Sequence, residues 1–129
     1  MSLTAKEILD ANDRGELEMV TVPEWGGDVF LRVMSGCDRD SYEASQIKMV
    51  GKQLTMDLAN KRANLIVRCV CDDKGTRLFS DAQAAGIASK NAQVLDRIYR
   101  VALRINALED DAVEEAAKNF VSDQSDDGG

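Results

Sequence analysis

The sequence predicts an α+β fold that is predominantly α-helical, its helices packed with one short N-terminal β-hairpin at about residues 16–34. Three observations carry this. Two alternating apolar runs flank the turn Pro23-Glu24-Trp25-Gly26-Gly27. A stretch without proline follows from Arg39 to Cys69, with apolar residues at helical spacing. Capping residues stand ahead of three further helical patterns. One domain over residues 1–120 and a disordered acidic tail over 121–129 complete the expectation.

The elements follow in order. Ser2 or Thr4 caps a short first helix, and Glu7, three residues after Thr4, completes a capping box. Leu3, Ile8 and Ala11 share a side of it, and Gly15 ends it. In GELEMVTV, Val20 and Val22 face one way and Leu17, Met19 and Thr21 the other, as a strand requires. Proline cannot donate to a ladder and paired glycines accept positive φ, so PEWGG reads as a turn. Val29, Leu31 and Val33 then alternate with Phe30, Arg32 and Met34 as the returning strand.

Ser35 caps the next helix, with Asp38 at the third position and Asp40 near its positive end. Ile47, Leu54, Leu58, Leu65 and Cys69 recur at helical spacing, so the reading is one long helix over 39–69, bent near Gly51 or broken near Asn60. Asp72-Asp73-Lys74-Gly75 is a turn, and Thr76–Phe79 is briefly extended. Ser80 caps a short helix ending at Ser89. Ser89 or Asn91 opens another, running to Leu108, whose apolar stripe is Val94, Leu95, Ile98, Ala102 and Ile105. Glu109-Asp110-Asp111 then starts a last helix, to Phe120, with acid at its favourable end.

Composition narrows the function classes. The chain has 129 residues, 44% of them hydrophobic, which suits one folded domain. No apolar run approaches the roughly 18 residues that span a bilayer, and MSLTAKEILDAND has no signal-peptide pattern. The expectation is a cytosolic protein without a membrane partner. Cys37, Cys69 and Cys71 then read as reduced, buried small hydrophobes. There is no histidine, no phosphate-binding glycine motif, and no ligand spacing for zinc or calcium, so neither catalysis nor a metal or cofactor is expected.

Charge is segregated. Residues 1–38 hold 3 basic and 8 acidic groups, residues 39–104 hold 12 and 7, and residues 105–129 hold 1 and 8, for a net charge of −7. Arg97, Arg100 and Arg104 form a basic stripe on one helix face. In so acidic a chain, the stripe suits pairing with the acidic first or last helix, within or between chains, better than nucleic acid. Trp25 at the turn tip either folds back over the core or is presented to a partner.

The run VPEWGGDVFLRVMSG, then LIVRCVCDDKGTRLFSD, then KNAQVLDRIYRVALRINAL, followed by an acidic end, resembles the tail assembly chaperones of long-tailed bacteriophages, over about residues 3 to 120. The resemblance implies a non-enzymatic protein of the host bacterial cytoplasm, absent from the mature virion. Such a protein binds and solubilises the tape measure protein, self-associates, and helps recruit major tail tube subunits, mainly through a longer form made by programmed frameshifting. Ala117-Lys118-Asn119 permits the codon choice GCA AAA AAC, which contains a slippery heptamer. Trp25 and Phe30 on the hairpin and Arg97, Arg100 and Arg104 on the helix are the candidate partner-binding residues. The competing readings are a small head–tail joining or tail terminator protein, and a nucleic-acid-binding regulator that uses the three arginines.

Overall fold

The computed structural model describes residues 1–108. The expected helix at 109–120 and tail at 121–129 lie outside them. Along the described chain run α1 (Ala5–Asp10), β1 (Glu18–Val22), a 3-10 turn (Pro23–Trp25), β2 (Gly27–Leu31), α2 (Gly36–Ala44), β3 (Ile47–Val50), β4 (Gln53–Met56), α3 (Lys61–Cys69), β5 (Val70–Cys71), a second 3-10 turn (Asp81–Gln83), α4 (Ala84–Ala88) and α5 (Ala92–Ile105).

The predominantly helical expectation is overturned. The fold is mixed: 45% of the described residues are helical and 19% lie in strands, with five strands in two antiparallel sheets. β1, β2 and β5 form one sheet; β3 and β4 form the other.

The first hairpin stands where expected. Val20 pairs with Val29 and Glu18 with Leu31, and Val20, Val22 and Leu31 turn into the core. Gly26 carries the positive φ, +79°, that the turn needs. A third strand, absent from the sequence reading, completes the sheet: α3 runs straight into β5, and Leu31 pairs with Val70. Cys69 therefore ends a helix and Cys71 lies in a strand.

The long helix at 39–69 does not exist. α2 stops at Ala44, and the β3–β4 hairpin separates it from α3. The sequence Ile47-Lys48-Met49-Val50-Gly51-Lys52-Gln53-Leu54-Thr55-Met56 alternates with period two as well as showing apolar residues near helical spacing. Its β-branched residues favour strands and Gly51 costs a helix about 1 kcal/mol. Gly51 takes φ +65° at the turn, the left-handed backbone that two-residue hairpin loops use. Ile47 pairs with Met56 and Met49 with Leu54, and the Asp57 amide donates to the Gln46 carbonyl at the root.

α3 is the centre of the core. Ala63, Leu65, Ile66, Val67, Arg68 and Cys69 are all buried, and α2, α4 and α5 pack around it. From α5, Val94, Leu95, Ile98, Tyr99, Ala102 and Leu103 are buried, close to the expected stripe, although the helix ends at Ile105. Thr4 and Glu7 do form the capping box of α1, but Leu3, Ile8 and Leu9 stay exposed and Ala11, not Gly15, closes the helix. Ser80 with Gln83 and Asn91 cap as their residue types predict. The Asp72 carboxylate accepts from the amides of Lys74 and Thr76 at 2.8 and 3.0 Å, which fixes the turn before Arg77.

Candidate interaction surface

Residues directly opposite in an antiparallel ladder share a face. The register of the second hairpin therefore puts Ile47, Met49, Leu54 and Met56 on one face and Lys48, Val50, Gln53 and Thr55 on the other. The first set is wholly apolar, and each of its side chains is 50% to 70% exposed. Val50 and, just beyond the hairpin, Leu58 are exposed as well. Among the described residues the ladder holds only two strands, so neither outer edge has a neighbouring strand there. Contiguous apolar surface of this kind, bearing two adaptable methionines, marks a binding face.

At its root the hairpin meets a groove of about 290 Å³ lined by Tyr42, Ile47, Met56, Tyr99, Leu103 and Leu108, among others. It continues, through Lys61 and Tyr99, into a second depression of about 480 Å³ between α5 and the start of α3, where Arg62, Lys90 and Leu95 also lie.

The residues singled out from sequence occupy a different surface. Trp25 sits at the tip of the first hairpin, 41% exposed. Next to it the Glu24 carboxylate accepts two hydrogen bonds from the Arg97 guanidinium, at 3.0 and 2.8 Å. These bonds hold the Glu24 carboxyl down at about 2 and raise Arg97. Arg104 pairs with Glu18 on β1, and Arg100 with Asp96 one turn back at 2.9 Å. The arginine stripe thus pairs within the chain, two of its members with acids of the first hairpin rather than of the first helix, while the expected last helix lies outside the described residues. Phe30 is half-buried on β2, opposite Met19 and Cys71. The structure does not bring Trp25, Phe30 and the arginines together with the apolar face.

Two arginines that sequence reasoning passed over brace the core beneath. Arg68 is buried, donates to the Ser41 hydroxyl at 2.8 Å and lies 3.3 Å from the Asp81 carboxylate. Arg77 bridges Asp38 and Asp81 at 3.1 and 2.8 Å and donates to the Val67 carbonyl. The only sequence signal was their position: Arg68 stands on the apolar stripe of α3, where an unpaired charge would be costly.

Of the cysteines, Cys69 and Cys71 are buried but Cys37 is exposed, contrary to expectation. Burial pushes the Cys69 thiol up to about 12 and raises Cys71 as well, so neither supplies a thiolate near neutral pH. Among the described residues, no three of Cys, Asp and Glu gather in a way that could hold a metal ion. No helix among them is long and apolar enough to cross a membrane.

Comparison with known proteins agrees with the sequence resemblance. A family model described as phage tail assembly chaperone matches residues 4–119. Among solved structures, the tail assembly chaperone of bacteriophage HK97 has a similar fold: TM-score 0.52, 20% identity, over 83% of this chain and 94% of that one. No curated protein sequence matches.

Proposed function

The chain belongs to the phage tail assembly chaperone family, and from that premise we propose that it binds and solubilises the tape measure protein during tail assembly in the host cytoplasm. It acts without catalysing a reaction and is left out of the finished virion. One observation carries the reading: the exposed apolar face of Ile47, Met49, Leu54 and Met56 on a hairpin with two open edges. A long client with apolar stripes needs many copies of a small protein that offers apolar surface on one side and charge elsewhere. The same face, or an open edge, serves contact between copies, and recruitment of the major tail tube protein falls mainly to a longer frameshifted form. Trp25 and Phe30 on the first hairpin are proposed as a second, smaller contact. Arg97 and Arg104 pair with acids of that hairpin, and with Arg100 they are proposed as a further contact on the same side.

The test is co-expression of the full chain with the tape measure protein, comparing wild type with Met49→Asp/Leu54→Asp. The expected result is a soluble complex for wild type, and an insoluble tape measure with a normally folded chaperone for the variant. Equal solubilisation by both refutes the assignment to this face. Intact-mass analysis of the products of the native locus, tagged at the N-terminus, tests the two-form expectation: a longer product diverging after about residue 119 supports it. Detection of the chain in purified particles would favour a joining or terminator protein instead.

A further inference from the structure

We propose that the guanidinium groups of Arg14 and Arg32 form a binding site for a carboxylate side chain on an acidic segment of a partner protein. The site is separate from the apolar face of the second hairpin, and it does not rest on the tape measure reading.

Three pieces of backbone build it. Arg32 stands just beyond β2, where its amide donates to the Cys69 carbonyl at 3.0 Å. Arg14 lies in the loop between α1 and β1 and reaches back to the same place. Its Nε donates to the Val33 carbonyl at 2.8 Å, and its Nη2 donates to the same oxygen. The turn after β5 closes the third side: a Cβ added at Gly75 would lie 3.4 Å from Arg32 Nη1 and 3.6 Å from the Leu17 side chain.

Two observations point to an anion. First, Arg32 Nε is buried and donates to nothing, and among the described residues no acceptor or acid meets the rest of its guanidinium. Arginine presents five donors in a planar fork that matches a carboxylate. A partly buried fork left unmet is costly, and a carboxylate satisfies two of its donors at once. Second, like charges stand side by side. Burial and then the neighbouring Arg32 charge lower Arg14 below its ordinary value, and both cations bear on the Cys71 thiol. Between them the two guanidinium groups have one acceptor, the Val33 carbonyl.

The surrounding acids select the ligand. Asp13 and Asp38 act on Arg14, and Asp72 acts on Cys71, yet none of them pairs with either arginine. Asp38 is bound to Arg77 at 3.1 Å, Asp72 accepts from the amides of Lys74 and Thr76, and Asp13 is exposed. These acids and the net charge of −7 repel a polyanion such as nucleic acid. A single carboxylate, by contrast, is neutralised between two arginines.

The test is nuclear magnetic resonance of the arginine Nε–H groups in the full chain. The probes are the end-blocked peptide Gly-Ser-Glu-Glu-Ser-Gly, its counterpart with glutamine for glutamate, hexathymidylate and inorganic phosphate, all at one ionic strength. The glutamate peptide should shift the Arg14 and Arg32 signals saturably and leave Arg62 unmoved, and the glutamine peptide should shift none. Arg32→Gln should weaken binding at least about tenfold, read on the Arg14 signal, with a native amide spectrum. Arg32→Lys, which keeps the charge but not the fork, should weaken it by a smaller factor. The proposal is overturned by no saturable shift, by an equal shift at Arg62, by a tighter response to hexathymidylate or phosphate, or by undiminished binding in both variants.

Discussion

The two hairpins of this protein look alike in sequence and are used in opposite ways. Both alternate polar and apolar residues, both turn on a glycine with positive φ, and both carry apolar side chains on one face. The first gains a third strand, β5, and buries Val20, Val22 and Leu31 beneath helices. Among the described residues the second gains neither strand nor helix, and its four apolar side chains stay at least half exposed. The difference lies in the chain just beyond each hairpin. Leu31 leads through Ser35, whose side chain caps α2, back toward the core, whereas the second hairpin hangs between two helices and touches the core only at its root. An apolar face that the described residues leave uncovered is the surface proposed here for a partner.

The sharpest test of that contrast is stability. Leu31→Ala removes a fully buried side chain and should cost about 2–5 kcal/mol in chemical denaturation. Leu54→Ala on the exposed face should stay within about 0.5 kcal/mol. If the two costs come out equal, the second hairpin is buried in solution and the contrast fails.

Association should invert the ranking. Met49→Asp/Leu54→Asp should weaken client or self-association by about 2 kcal/mol or more, the scale of an interface hot spot, with little change in unfolding midpoint. Trp25→Ala should cost less than this in association, because its tip is only part-exposed and lies on the other hairpin. A larger loss from Trp25→Ala, read by titration against the tape measure protein, would move the main contact to the first hairpin.

Gly51→Ala sharpens the comparison from the backbone side. Alanine at φ +65° should destabilise the turn by about 1 kcal/mol. Because the hairpin is peripheral, faster amide exchange confined to residues 47–56, with an unchanged global midpoint, is the expected signature.

How much of this was legible in the sequence obeys the same division. The first hairpin and the stripe of α5 could be read because local chemistry and tertiary burial agree there, and the caps at Thr4, Ser35, Ser80 and Asn91 because capping is local chemistry alone. The second hairpin was misread because no described element buries it: with no core face to fix the period, Ile47, Leu54 and Leu58 fitted a helical stripe, and the competing alternation at Ile47–Val50 and Gln53–Met56 went unused. β5 was invisible at two residues, being a strand only by its pairing with β2. The candidate site inherited these errors. Trp25 and the arginines drew notice as rare or patterned residues, yet Arg97 and Arg104 hold β1 and its tip to α5. The exposed face was hidden inside a helix that does not form.

The smallest effect concerns how the first hairpin is held. Bonds from Arg97 depress the Glu24 carboxyl from 4.5 to about 2. A carboxyl lowered on folding stabilises the native state above its unfolded value, and that contribution is lost as pH falls through the folded value. The window is therefore about pH 4.5 down to about 2. Other carboxylates titrate in the same range, Asp72 and Asp81 among them, so the measurement is the difference between wild type and Glu24→Gln. Wild type should melt slightly higher at neutral pH, and the two melting curves should converge as pH approaches 2. The pair is half exposed, so high salt should shrink the gap. A gap that stays constant from pH 7 to pH 2 would mean that Glu24 holds the tip through packing rather than charge, and that the first hairpin keeps its place on α5 by the burial of Val20 and Val22.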